Sequence, residues 1–226
     1  MIKRLLVFLL FAIAFALALL CGHHNATAAD NPDPRLDAVA SAIAGHPVHV
    51  WCEGDYAEWH SAAIGWTTPP EFGNVVHIHP WACNGLHQIL DGAEPNTTAL
   101  PLMLAADSIH VLTHESVHQR GGQYADCYGW YGGDPNDASC EGRTDCEALT
   151  LDRATALALG VPATAPQQAL RYKTVRRKAH GRWRRVRVAY LVWVSTPNWA
   201  LEQYTWYQRQ YHNGLPPQYL GPCGKV

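Results

Sequence analysis

The residues best placed to do chemistry are five in a row: His114-Glu115-Ser116-Val117-His118. Two His at i and i+4 lie on one face of a helix, one turn apart. Imidazoles in that relation can reach a single divalent ion at ~2.0–2.1 Å per bond. Glu115, beside the first His, can project toward a water on that ion and take its proton. With thirteen His and eight Glu in 226 residues, this spacing arises by chance roughly 0.03 times per chain. The flanking residues Leu102, Met103, Leu104, Ala105, Ala106, Ile109, Val111, Leu112 and Val117 make the segment apolar nearly all round. An apolar, buried helix has little reason to carry His unless something binds them.

A catalytic zinc site takes three protein ligands and a water. His110 lies one turn further up the same face, but it stands eight residues from His118, or ~12 Å of axial rise. One ion does not bridge that span, so His110 is expected to be a satisfied interior residue or to stand behind a ligand. Ten residues after His114, where metzincins place a third His, this chain has Tyr124, and no methionine follows Met103. The remaining donors are acids of the next helix. Glu141 and Asp145 share a face at i and i+4, and Glu147 is turned roughly 200° from Asp145.

Together, His114–His118 and Glu141-Gly142-Arg143-Thr144-Asp145 resemble the gluzincin, or thermolysin-like, branch of the zincin metallopeptidases. The resemblance implies Zn²⁺ as cofactor, with His114, His118 and Glu141 as ligands. It implies that Asp145 accepts the Nδ1–H of His114 and fixes its tautomer. It implies hydrolysis of a peptide or protein substrate, with Glu115 as general base and then general acid. It also suggests that the strand Val75–His79 is a sheet edge that pairs with substrate. Tyr124, Tyr128, Tyr131 and His212 are candidate oxyanion donors, and spacing does not choose among them. The stretch Glu141 to Ala148, with Cys146 inside it, is also similar to small secreted bacterial HExxH proteins without a described activity. The alternative is a non-catalytic cell-envelope-binding protein with a structural zinc. An intact Glu115 favours the enzyme, because a structural site has no use for a base beside the metal.

These residues need elements to hold them. Helices are expected over Asp33–Ala44, Trp81–Leu90, Pro101–Gln119, Ser139–Leu159 and Asn198–Tyr211, from 3.6-residue apolar spacing and Gly or Pro stops. Strands are expected over Pro47–Cys52 and Val75–His79. Alternating β-branched, aromatic and basic residues predict a β-hairpin over Arg171–Trp193, turning at His180-Gly181. The fold class is thus α+β: a small zincin-like single domain with an active-site helix, a glutamate helix, a short sheet and a basic C-terminal hairpin.

Lys3 and Arg4, the apolar run Leu5–Leu20 and Ala26-Thr27-Ala28 read as a signal peptide over 1–28, followed by one domain over 29–226. The apolar run falls short of the ~20 residues that comfortably span a bilayer. Export fits the cysteines. Cys21 leaves with the signal, and six remain with no CxxC pair, implying up to three disulfides. The expected pairs are Cys52–Cys83, Cys127–Cys140 and Cys146–Cys223. Residues 29–164 carry four Lys/Arg against eighteen Asp/Glu, and residues 165–226 carry eleven against one. Either the two parts attract each other, or the basic stretch Arg171–Arg187 meets an anionic surface. For an exported chain that surface is the cell envelope, and no nucleic-acid partner is expected. Asn96-Thr97-Thr98 is a glycosylation sequon.

Overall fold

The computed structural model describes residues 33–52, 65–68, 73–93, 100–124, 127, 139–215, 217 and 220–226. The expected signal peptide, Tyr128, Tyr131 and the sequon lie outside the described residues.

Helix α1 is Pro34–Ala44. Asp33 caps it by accepting from the Arg35 amide, and Gly45 closes it with φ of 85°, a left-handed conformation that suits glycine. Three short strands follow: β1 (His49–Cys52), β2 (Gly65–Thr67) and β3 (Val75–Ile78). They form one sheet in the order β1-β3-β2, with β1 parallel and β2 antiparallel to β3. The expectation that Val75–His79 is a sheet edge is therefore corrected. It is the central strand, with ladders on both sides. The outer strand β2 is three residues long, too short for alternation to announce it.

Helix α2 is Pro80–Leu90, and α3 is Leu102–His118. α3 is the hub: α1, α2, β2 and β3 pack on it, as do α4 (Ser139–Ala158) and α5 (Trp199–Asn213). Its buried residues reach nearly all round, although Met103, at the N-terminal end, is half exposed. The α2–α3 crossing is close. A Cβ on Gly85 would stand 2.3 Å from Ser108 Oγ, so only glycine fits there. The core joins Leu36 of α1, Val76 and Ile78 of β3, Leu86 of α2, Ile109 and Leu112 of α3 and Leu201 of α5.

All three expected disulfides are present, with Cα–Cα distances of 5.8 Å for Cys52–Cys83, 5.2 Å for Cys127–Cys140 and 5.8 Å for Cys146–Cys223. They suit an oxidising compartment. No helix among the described residues is long and apolar enough to cross a membrane. The chain is a small, disulfide-stapled α+β domain.

Between α4 and α5 runs a two-stranded hairpin, β4 (Thr164–Ala179) and β5 (Arg182–Pro197). Its turn is His180-Gly181, with φ of 49° and 76°, the positive pair that a tight two-residue hairpin needs. The hairpin runs seven residues earlier and four later than Arg171–Trp193. Ala165-Pro166-Gln167-Gln168 carries little β signal. It is drafted into the ladder by pairing with Val194, Trp193 and their neighbours.

Candidate metal centre

Helices α3 and α4 face each other with two matched rows of side chains. α3 offers His110, His114 and His118, each one turn apart. α4 offers Glu141, Asp145 and Asp152, which also share a face, being four and seven residues apart. The rows interleave. His118 and His114 meet Glu141, His114 and His110 meet Asp145, and His110 meets Asp152.

One end of this ladder is open to a metal. His114 Nε2 lies 3.0 Å from Glu141 Oε2 and 3.1 Å from His118 Nε2, and His118 Nε2 lies 3.5 Å from Glu141 Oε2. Tetrahedral ligands with bonds of ~2.0–2.1 Å stand roughly 3.3 Å from one another. The three donor atoms match that triangle, so a single point lies at bonding distance from all of them. Two imidazole nitrogens and a carboxylate oxygen are also the donor chemistry that zinc takes. The residues present therefore fit a zinc ion.

The ring of His118 is oriented from behind. Its Nδ1–H donates to the backbone carbonyl of Tyr124 in the 3₁₀ turn Gly122–Tyr124. That bond puts the proton on Nδ1 and leaves the Nε2 lone pair free for a metal ion, were one bound. The Cys127–Cys140 disulfide packs here, with Cys127 Sγ 3.9 Å from His118 Nδ1. It ties the turn that carries the Tyr124 carbonyl to the first turn of α4, which carries Glu141.

A second group, His110, His114 and Asp145, also brings donor atoms together. Its geometry differs. His110 Nε2 is 2.7 Å from Asp145 Oδ1 and His114 Nδ1 is 3.7 Å from it. The first is a hydrogen-bond distance, shorter than two ligands of one tetrahedral ion allow. Cys52, Cys83 and His87 also cluster, but the two sulfurs are joined in a disulfide.

Asp145 does more than the sequence suggested. At 3.7 Å it attracts His114 Nδ1 without a hydrogen bond. Its short contacts are with His110 and with His212 Nδ1. His212 is fully buried, and its Nε2–H donates to the Gly224 carbonyl at 2.9 Å. Both ring nitrogens are engaged away from the donor triangle, so His212 is removed from the oxyanion candidates. The Cys146–Cys223 disulfide lies beside this contact and holds the C-terminal segment against α4.

Glu115 is buried against β2. A Cβ on Gly65 would stand 2.8 Å from Glu115 Cγ and 2.9 Å from its Oε1, so the backbone of β2 is one wall of the carboxylate's pocket. Burial raises the Glu115 pKa, against the pull of His114 and His118. Glu141 goes the other way. Burial would raise it, but hydrogen bonds with His114 and His118 outweigh that and hold it well below the usual carboxylate range. Burial would likewise lower His114, but Asp145 and Glu141 raise it well above an ordinary imidazole. Glu147, the rival donor, points elsewhere and pairs with Arg120 at 2.6 Å.

The sequence reading missed three participants. Asp152 is legible only as the next acid on the Glu141–Asp145 face. Gly65 belongs to a strand too short to predict. The Tyr124 carbonyl has no side-chain signal at all. No protein-family model matches the chain, and neither a curated protein nor a solved structure matches it.

Proposed function

We propose that this protein is a secreted, zinc-dependent peptidase, with Zn²⁺ held by His114, His118 and Glu141. The observation that carries the reading is the triangle of three donor atoms beside a buried carboxylate. When bound, zinc lowers the pKa of its water and polarises a scissile carbonyl.

The chain's own residues supply the rest. Glu115 takes the proton of the attacking water and returns it to the leaving amine. Burial suits it to both tasks, because a raised pKa makes the carboxylate a stronger base and leaves its conjugate acid able to donate. The wall of β2 limits where that carboxylate can swing. The Tyr124 carbonyl keeps the His118 ring in place. Asp145, itself held by His110 and His212, presents negative charge behind His114, which makes that imidazole a better donor to a cation. The disulfides and the expected leader support export.

The test is the metal content of the purified mature protein together with hydrolysis of a mixed fluorogenic peptide library. We expect one zinc per chain. Glu141→Ala should lose it, while Glu147→Ala and Glu115→Gln should keep it. Glu115→Gln should reduce turnover by ~10²–10⁴-fold, the range for a lost general base. A wild-type protein that takes no zinc even after reconstitution would sink the reading. Zinc bound normally with no Glu115-dependent hydrolysis would leave the structural-zinc alternative.

A further inference from the structure

The β4–β5 hairpin is the part of the molecule that the metal centre does not use. Two strands of sixteen residues make an arm roughly 50 Å long. The strands pair with each other along their whole length and pack hardly at all on any other element. A lone two-stranded ribbon is marginal in water, and this one shows water its large apolar side chains. Trp183 is 67%, Leu191 62% and Trp193 68% exposed.

The register sorts these residues. Directly opposed pairs share a face. The pairs Leu170–Leu191, Tyr172–Ala189, Lys178–Trp183 and Gln168–Trp193 therefore put five large exposed apolar residues on one face. The same face carries Arg176, Lys178, Arg185 and Arg187. The other face carries Arg171, Lys173, Arg177, Arg182 and Arg184. Nine cations thus line an arm with no acid between residues 165 and 201.

Two of the pairs are Arg176–Arg185 and Arg177–Arg184, like charges directly opposed, which a free hairpin does not favour. Among the described residues no carboxylate neutralises them. The arm's cations instead stack on its own rings, Lys173 over Tyr190 at 5.0 Å and Arg187 over Tyr172 at 4.3 Å. Among the described residues, the acids of the chain therefore do not balance the arm by contact.

We infer that the β4–β5 arm docks on an anionic phospholipid surface. The cations alone would fit any polyanion. Leu170, Leu191 and Trp193 decide between partners. An aliphatic pair next to an exposed indole gains nothing from a phosphate polymer. It gains by entering the headgroup–acyl boundary of a bilayer, where Trp concentrates and where basic residues find lipid phosphates. Lying on such a surface, the arm neutralises its opposed arginines and covers its apolar face in one step. The inference stands apart from the metal centre, since no residue of the arm belongs to it.

The test uses the full mature protein and sedimentation with vesicles of phosphatidylcholine, with and without phosphatidylglycerol. Binding to the anionic vesicles should be ~100-fold stronger than to neutral ones and should fall steeply with added salt. Brominated acyl chains should quench the tryptophan emission. Charge reversal at Arg176, Arg177, Arg184 and Arg185 to Glu should abolish binding. Leu191→Ser with Trp193→Ser should remove the added quenching and weaken binding by ~10-fold or more, from lost apolar area. Unchanged far-ultraviolet circular dichroism and metal content would show that each variant keeps its folded body. Equal binding to both vesicle types, or no binding, would overturn the inference. So would double-stranded DNA or polyphosphate binding more tightly than anionic vesicles with no bromolipid quenching; the partner would then be a polyanion.

Discussion

The α3–α4 interface and the β4–β5 arm handle charge in opposite ways. At the interface, ionisable groups are buried or half-buried and each meets an opposite partner. His110 stands between Asp145 and Asp152, His114 between Asp145 and Glu141, and Asp145 is shared with His212. In the arm, nine cations stand in solvent without an acid, beside exposed tryptophans. The interface is complete within the chain except for what would fill the His114–His118–Glu141 triangle. The arm is incomplete along its entire length. Buried charge is costly unless paired, and the first arrangement meets that demand within the chain, leaving one group of donors, His114, His118 and Glu141, that could hold a metal ion. Exposed apolar bulk with unopposed charge marks a surface that expects something from outside.

The largest expected separation between the two regions comes from making the same change in each. Leu112 is fully buried in the core, and Leu191 is mostly exposed on the arm. Leu112→Ala should cost about 2–5 kcal/mol of stability, because a cavity opens in the core that Leu112 helps to fill. Leu191→Ala should stay within about 0.5 kcal/mol. Denaturant unfolding with the disulfides intact measures both. A large cost at Leu191 would mean that the arm packs on the body in solution, and the contrast would fail.

The contrast also explains what could be read without coordinates. Long helices with apolar periodicity and clear stops, such as Pro34–Ala44 and Leu102–His118, are announced by local sequence, and their observed ends fall within a residue or so of expectation. The cysteine pairing was a preference among the fifteen connectivities that six cysteines allow, with the short Cys127–Cys140 loop as its one local reason, and all three preferred pairs are present. Sheet order was not legible, because β1, β2 and β3 are three or four residues long and their pairing is non-local. The expectation that Val75–His79 is an edge came from the zincin resemblance, and the strand is instead the centre of the sheet. Of the candidate metal centre, the His and Glu donors carry side-chain signals at helical spacing. The Tyr124 carbonyl and the Gly65 backbone act through the main chain and leave no such signal. The arm's identity came from alternation, but its length did not, since the first residues of β4 pair only because β5 offers them a ladder.

Gly65 is the place where the sheet reaches the chemistry, and a single methyl there sharpens the comparison next. Alanine at this position must push Glu115, since its Cβ would meet that side chain inside contact distance. The proposed metal ligands are on other residues. Gly65→Ala should therefore leave zinc content unchanged and lower kcat/KM by ~100-fold, the scale of a small misplacement of a catalytic group. An alanine at Gly181, in the turn of the arm, should strain that turn without touching turnover. Loss of zinc in Gly65→Ala would show that β2 supports the ligands rather than the base.

The smallest effect tests how the buried charges are held. Burial would lower the His110 pKa, but Asp152 and Asp145 outweigh it and raise it from an ordinary imidazole to about 10. A group whose pKa is raised by folding stabilises the native state below its unfolded value, near 6.5, and loses that contribution as pH rises through the folded value. Wild-type stability should thus fall between about pH 7 and 10 relative to His110→Gln, with lysine and tyrosine titrations common to both cancelling in the difference. Nitrogen NMR should find both ring nitrogens of His110 protonated at pH 8, with Nδ1–H on Asp152 and Nε2–H on Asp145. Parallel pH profiles for the two proteins would mean that His110 is neutral in the fold. The Asp145 charge behind His114 would then be uncompensated from the His110 side, and the buried row would be less fully paired than its distances imply.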